Sequence, residues 1–96
     1  MIIVGRDQLR GFGDDHADAR KWIENWIADT ELVSWDTTHD LKERYPSVSF
    51  LGEGLTIFNV KGNRYRLETT IAYKTNVVVV KWIGTHAEYD KRNANR

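Results

Sequence analysis

Histidine and tyrosine stand close together where the last predicted strand of the chain ends. Gly84 permits a sharp exit from a sheet, and Thr85 can begin a helical turn with Glu88 as its capping-box partner. His86 and Tyr89 are at i and i+3, so we expect them on one side of that turn. Because histidine can give and take protons near neutral pH, the segment predicts a site of proton transfer.

Four cations lie on the predicted strands that lead to this segment: Lys61, Arg64, Arg66 and Lys81. Gly62-Asn63 suits a two-residue hairpin loop with glycine first, which pairs Lys61 with Arg64 and Asn59 with Arg66. Side chains alternate between the two faces of a sheet, so these residues fall on one polar face. The opposite, core-facing side then carries Phe58, Val60, Tyr65, Leu67, Ile71 and Tyr73.

The register of the next hairpin decides the face on which Lys81 lies. Patterning favours pairing Ile71 with Val80, which puts Trp82 on the core side and Lys81 on the polar side. The alternative register sets Trp82 opposite Glu68 and mixes apolar and polar side chains on each face. We therefore reject the alternative and predict one basic face.

This basic face has two interpretations. Like charges opposite one another mildly destabilise a sheet, so a cluster of four cations indicates that an anion binds there, with RNA phosphate the obvious one. A sheet face whose long cations are simply solvated is the other interpretation. Charge alone leaves both open, although the nearby histidine and tyrosine favour the first.

The remaining pattern predicts the elements that hold this face. An edge strand is expected at residues 2–4, helices at 7–16, 18–28 and 37–45, and strands at 47–51, 55–60, 64–73 and 77–83. Asp7 and Asp18 are the predicted N-caps of the first two helices. The short loops require an antiparallel meander, covered on one face by the helices. We predict an α+β fold in a single domain over residues 1–96, with a frayed tail at 91–96.

Composition narrows the function classes. The chain has no cysteine and a net charge of zero, but residues 1–45 carry six Lys/Arg against ten Asp/Glu and residues 46–96 carry eight against four. Without cysteine there is neither a disulfide nor a thiolate metal site. No apolar run approaches the roughly 18 residues needed to span a bilayer, and the apolar N-terminal run is too short for a signal peptide. A cytoplasmic protein without a membrane partner is expected.

Two segments resemble a known family. Residues 58–67 (FNVKGNRYRL) and 83–91 (IGTHAEYDK) look like the signature of HigB-type toxins, which are mRNA interferases of the RelE-like superfamily in bacterial type II toxin–antitoxin systems. Weaker similarity extends through Tyr45-Pro46-Ser47 and the region of Trp35. The chain departs from the family at Gly11 and Gly13, where helix-forming residues are expected, and in its low pI of about 6.8.

The resemblance implies a fold, partners and a reaction. The fold is RelE-like, with N-terminal helices packed on a mainly antiparallel sheet and a short C-terminal helical turn. The partners are the ribosome, translated mRNA and a HigA-type antitoxin that contains a helix-turn-helix. The reaction is endoribonucleolytic cleavage of mRNA without a metal or other cofactor.

The expected first step of this reaction is attack by a ribose 2′-OH on the adjacent phosphorus, and each candidate residue has an expected role in it. Arg66 stabilises transition-state charge, since its planar guanidinium suits phosphate, and Lys61 and Arg64 hold phosphates with support from Lys81. His86 transfers protons, and Tyr89 orients the nucleotide or shares the acid–base work. Asn59 and Lys91 complete the predicted RNA-binding set.

Two alternative functions remain. ParE-like toxins share the fold and poison DNA gyrase, although a gyrase binder needs no proton shuttle such as His86 and Tyr89. A non-catalytic RNA-binding domain would bind RNA with an affinity that depends on salt and would leave the RNA intact.

Overall fold

The protein is seen in a computed structural model that describes residues 1–94. Four helices and a five-stranded sheet make an α+β fold, as predicted. The elements in chain order are β1 (Ile2–Val4), α1 (Arg6–Asp15), α2 (Ala17–Leu32), α3 (Thr38–Arg44), β2 (Ser49–Phe50), β3 (Leu55–Val60), β4 (Tyr65–Ala72), β5 (Val77–Thr85) and α4 (His86–Ala94).

The sheet has the strand order β1-β5-β4-β3-β2. Strands β2 to β5 form the antiparallel meander that their short loops require. The edge strand β1 runs parallel to β5, so the sheet is mixed. The long chain between β1 and β5 supplies the crossover that a parallel pair needs.

The β3–β4 hairpin has the predicted register. Val60 pairs with Tyr65, Asn59 with Arg66 and Phe58 with Leu67. Phe58, Val60 and Leu67 are buried on the face that α1 and α2 cover, which we call the inner face. Asn59 and Arg66 lie on the opposite, outer face.

The predicted register of the β4–β5 hairpin is wrong. Ile71 pairs with Val78, not Val80, and Trp82 lies opposite Glu68, the pairing that the sequence pattern disfavoured. The register shifts between Glu68 and Thr69, where β5 carries one extra residue, Lys81. Such a bulge reverses the alternation of side chains along the strand. Val78 and Val80 therefore face the core before the bulge, whereas Trp82 lies on the outer face after it.

Both predicted aspartate N-caps are wrong. The N-cap of α1 is Gly5, in the left-handed region at φ 97°, and that of α2 is His16, so Asp7 and Asp18 lie within the first turns. A Cβ on Gly5 would lie 3.1 Å from the Val80 Cβ. Glycine is therefore suited to this position both because it adopts the left-handed conformation without strain and because it allows β5 to approach closely. Helix α1 continues through Gly11 and Gly13, and Gly13 is buried against Arg20 of α2.

Helix α2 contributes one apolar stripe to the core. Ile23, Trp26 and Ile27 are buried, and the Trp26 ring meets Phe58 of β3 edge-on at 5.5 Å. Helix α3 is capped by Thr37, whose hydroxyl accepts a hydrogen bond from the Asp40 amide at 3.3 Å. Within residues 1–94, no helix has the length and apolar character needed to cross a membrane.

The C-terminal segment is more ordered than predicted. Helix α4 continues to Ala94, where the sequence indicated a single helical turn and a frayed tail from residue 91. The frayed tail is therefore wrong for residues 91–94, and positions 95 and 96 lie outside the described residues. Helix α4 packs on β4 and β5.

Candidate functional site

The β3–β4 hairpin and the start of α4 meet at one end of the sheet. The backbone N–H of His86 donates to the carbonyl oxygen of Arg64 at 3.0 Å. The predicted capping box is present: the Thr85 N–H donates to Glu88 Oε1 at 2.9 Å, and the Glu88 N–H donates to Thr85 Oγ1 at 3.1 Å. Hydrogen bonds from Thr85 to the Glu88 carboxylate, first that of the backbone N–H, lower the pKa of Glu88. The first turn of α4 is thereby fixed against the hairpin.

Arg66 stands on the outer face between two small neighbours. Its strand partners are Asn59 on β3 and Gly84 on β5. The half-buried guanidinium donates to the carbonyl oxygen of Tyr65 and to Asn63 Oδ1, each at 3.2 Å. Both acceptors are neutral, and Arg66 forms no ion pair within residues 1–94. Its positive charge is therefore oriented by the hairpin without being neutralised by a carboxylate there.

Gly84 makes room for an aromatic side chain beside Arg66. A Cβ at this position would collide with the Trp82 ring and would lie 3.2 Å from Glu88 Oε1. The indole therefore occupies the space above Gly84 that a larger residue would fill. Trp82 is half-buried on this face. The sequence pattern placed Trp82 on the core side, because alternation does not show that the bulge at Lys81 moves the residues after it to the opposite face.

Trp82 and Glu68 anchor α4 across the outer face. The Tyr89 ring lies 6.2 Å from the Trp82 ring, and the Arg92 guanidinium lies 5.3 Å above the same indole. Arg92 also donates to Glu68 Oε2 at 3.2 Å, and the Glu68 side chain is only 5% exposed. These contacts fix the direction of α4 and half-bury Tyr89.

His86 lies next to Asp90 and not next to Trp82. Its Nε2 lies 3.6 Å from Asp90 Oδ1, which is too long for a hydrogen bond but forms an ion pair when the ring is protonated. The His86 side chain is 47% exposed. An accessible imidazole beside a carboxylate can exchange protons with solvent or with a bound ligand. His86 and Tyr89 thus share the start of α4 and contact different residues.

Arg64 does not join the outer face, and that part of the predicted basic face is wrong. Its Nη1 donates to Asp18 Oδ2 at 2.8 Å, and the Tyr65 hydroxyl donates to Asp18 Oδ1 at 2.7 Å. These contacts tie the hairpin to α2. The Tyr65 hydrogen bond, followed by that of Arg64, lowers the pKa of Asp18. Arg64 lies in the turn, outside the strand pairing, so alternation does not determine its direction.

The other predicted cations are exposed at three separate positions along the chain. Lys61 is exposed in the hairpin turn at φ 52°. Lys81 is exposed in the bulge, three residues before Gly84, which places it about 10 Å along β5 from the level of Arg66. Lys91 is exposed in the last turn of α4. The structure therefore brings together Arg66, Asn59 and the start of α4, with Lys61 close by in the turn.

A second histidine lies near this end of the sheet and was not predicted. The His16 ring stacks on Phe12 with centroids 4.0 Å apart and meets Tyr65 edge-on at 5.3 Å. After the hydrogen bonds from Thr85, the charge of His16 also contributes to the lowered pKa of Glu88 in the first turn of α4. The only sequence signal was its place at the junction of two helical patterns. Across residues 1–94, no group of three or more histidine, aspartate or glutamate side chains is arranged to hold a metal ion.

Comparison with known proteins assigns the chain to a family. A family model described as HigB_toxin, the RelE-like toxic component of a toxin–antitoxin system, matches residues 19–92. The match takes in α3, strands β2 to β5 and nearly all of α2 and α4, and hence both segments that meet at Arg66 and His86. No curated protein matches the sequence.

Proposed function

The chain belongs to the HigB-type family of RelE-like toxins from toxin–antitoxin systems, and we propose that it acts as a ribosome-associated endoribonuclease that cleaves translated mRNA. The observation that carries the proposal is Arg66. Its guanidinium is held by neutral acceptors on an open sheet face, beside the helix that begins at His86. An oriented charge of this kind suits a phosphate that becomes more negative during reaction.

The proposed reaction is attack of a ribose 2′-OH on the adjacent phosphorus. A base removes the 2′-OH proton, the new O–P bond forms, and the bond from phosphorus to the 5′-oxygen breaks as an acid protonates the departing oxygen. The products are a 2′,3′-cyclic phosphate and a 5′-OH. The side chains at this end of the sheet can carry out both proton transfers and can stabilise the negative charge on the phosphorane oxygens.

Arg66 and His86 have the central roles in this proposal. Arg66 stabilises the phosphorane oxygens through charge-assisted hydrogen bonds. His86, exposed at the start of α4 beside Asp90, transfers a proton. Tyr89 orients the nucleotide or shares the acid–base work, and its packing on Trp82 fixes its ring.

The remaining polar residues bind RNA around this centre. Lys61 in the turn and Asn59 beside Arg66 contact the scissile or neighbouring phosphate. Lys81 and Lys91 contact phosphates farther along the RNA. Arg64 acts indirectly, because its ion pair with Asp18 fixes the hairpin and its carbonyl oxygen accepts a hydrogen bond from the backbone N–H of His86.

The family implies an antitoxin partner. We propose that it is of the HigA type, with a helix-turn-helix, and that the toxin acts on ribosomes in the bacterial cytoplasm as a single domain over residues 1–96. A neighbouring reading frame that encodes such a protein would agree with this assignment.

The test compares Arg66→Ala with Arg10→Ala. Arg10 is an exposed arginine of α1 that forms no ion pair within the described part of the chain, so it is a matched control for loss of one surface charge. We expect Arg66→Ala to lower the rate of mRNA cleavage by about 10²–10³-fold, because it removes a transition-state donor. Arg10→Ala should cleave at the wild-type rate.

The assay is mapping of mRNA ends in a purified translation reaction, with the same mRNA free of ribosomes as a second substrate. Wild-type cleavage of only the translated mRNA supports the proposal. Intact mRNA together with gyrase-linked DNA breaks would show a gyrase poison instead. Salt-dependent binding of RNA without cleavage would show a non-catalytic RNA-binding domain.

A further inference from the structure

The outer sheet face carries mainly aliphatic side chains at the end that lies away from Arg66. Strand pairing aligns Ile2 of β1 with Val77 and Ala72, and Val4 with Val79, Thr70 and Leu55. The first row of side chains runs from β1 to β4, and the second runs from β1 to β3. We call them the outer apolar patch.

The exposure of this patch is greatest at its edge. Ile2 is 63% exposed and Val4 is 50% exposed, whereas Val77 and Val79 beside them are partly buried. Ile3, between the two exposed residues, faces the core and is buried. Aliphatic side chains that stand next to one another in sheet register differ from scattered exposed residues, and a contiguous patch of this kind marks an interaction surface.

The charges at the border of the patch indicate the chemistry of its partner. Lys74 in the β4–β5 turn and Lys81 in the bulge are both exposed, one beyond each end of the run from Val77 to Val80. Neither lysine forms an ion pair with a carboxylate in the part of the chain that the structure describes. A segment with apolar side chains flanked by carboxylates complements this surface.

The strand that begins the patch, β1, also lies at an edge of the sheet described in residues 1–94. Its only strand partner there is β5. An extended segment that adds beside β1 gains main-chain hydrogen bonds. Its alternate side chains then continue the rows that begin at Ile2 and Val4.

We propose that an extended, acidic segment of the antitoxin adds beside β1 and packs its apolar side chains next to Ile2 and Val4, at the edge of the outer apolar patch. The proposal rests on the toxin–antitoxin family and not on mRNA cleavage. Thr70 in the patch is four residues from Arg66 along β4, which is about 13 Å, so antitoxin binding and catalysis can be tested with separate variants.

The experiment measures binding of purified full-length toxin to its cognate antitoxin by calorimetry. The variant is Ile2→Glu/Val4→Glu, which replaces the exposed edge of the patch with charges that repel an acidic segment. The matched control is Leu32→Glu, because Leu32 is 86% exposed at the end of α2 and lies outside the patch. We expect the patch variant to bind the antitoxin at least tenfold more weakly, and the control to bind as the wild type does.

A second variant pair keeps the proposal testable if the glutamate substitutions prevent folding. Ile2→Thr/Val4→Thr preserves the β-branched shape and should weaken binding in the same direction. Lys74→Glu, in an exposed turn, should also weaken it through the border charge. An unchanged dissociation constant in folded patch variants would overturn the proposal.

Two further outcomes separate this inference from its rivals. Suppose that the patch variant converts a toxin dimer into a monomer while its antitoxin affinity stays unchanged; the patch would then bind a second copy, and the proposal fails. If instead the wild-type toxin binds the antitoxin through the patch but does not cut translated mRNA, the docking inference stands and the proposed cleavage fails.

Discussion

Substitution of Gly84 by alanine tests how α4 is held over the sheet. A Cβ at Gly84 would lie 2.6 Å from Trp82 Cη2 and 3.2 Å from Glu88 Oε1, whereas ordinary contacts begin at 3.4 Å. The indole cannot turn away freely, because Tyr89 packs against it and Arg92 lies above it. The ring must therefore move by close to 1 Å, and α4 must adjust with it because Tyr89 and Arg92 pack on the ring.

Overpacking of this kind costs about 1–3 kcal/mol of folding free energy. For a chain of this length, each kcal/mol lowers Tm by roughly 4–8 °C, so Gly84→Ala should unfold at a temperature lower by about 4–24 °C. A displacement of about 1 Å at His86 can also lower a cleavage rate by up to roughly 10²-fold. The measurements are calorimetric unfolding and mRNA cleavage on the same preparation.

Gly11→Ala is the control, with an expected effect of opposite sign. Gly11 is exposed in α1, and a Cβ there meets no atom within 4 Å. Alanine in a helix is favoured over glycine by about 0.5–1 kcal/mol, so this variant should be more stable than the wild type. The reasoning is refuted if Gly84→Ala unfolds at the wild-type temperature and cleaves at the wild-type rate.

Two other substitutions test contacts that hold the hairpin and α2. Hydrogen bonds from Tyr65 and Arg64 lower the folded-state pKa of Asp18, so its contribution to stability is present above the unfolded pKa of about 3.9 and is lost as the pH falls through the lower folded value. The stability difference between the wild type and Asp18→Asn should therefore shrink as denaturant unfolding is repeated at falling pH; a constant difference would contradict this. Tyr45→Phe removes a 2.8 Å hydrogen bond to Asp29 from a partly buried hydroxyl and should cost about 1 kcal/mol in the same measurement. Wild-type stability of Tyr45→Phe would show that this bond contributes nothing net.

Local features of the site were predictable from the sequence. The β3–β4 register follows from a short loop and from alternation over adjacent residues, and it places Asn59 opposite Arg66 as predicted. The capping box of Thr85 and Glu88 depends on four consecutive positions and is also confirmed. In both cases the determining contacts lie within a few residues, so the sequence pattern alone contains the information.

The features that were predicted wrongly or not at all depend on distant contacts or on one extra residue. Alternation cannot show a bulge at Lys81, since either side of the bulge reads as a regular strand. Arg64 pairs with Asp18, which is 46 residues away, and a turn residue carries no face preference of its own. The burial of Glu68 could not be predicted either, because it depends on α4 folding back over the outer face.

We propose that the toxin cuts translated mRNA through the 2′-OH of the nucleotide at the cleavage position. The direct measurement uses an mRNA with one 2′-deoxynucleotide at a mapped cleavage position, translated beside the all-ribose mRNA. We predict that the deoxy substrate stays intact at that position, and that the ribose substrate yields a 2′,3′-cyclic phosphate and a 5′-OH. Equal cleavage of both substrates, or fragments with a 5′-phosphate, would contradict the claim.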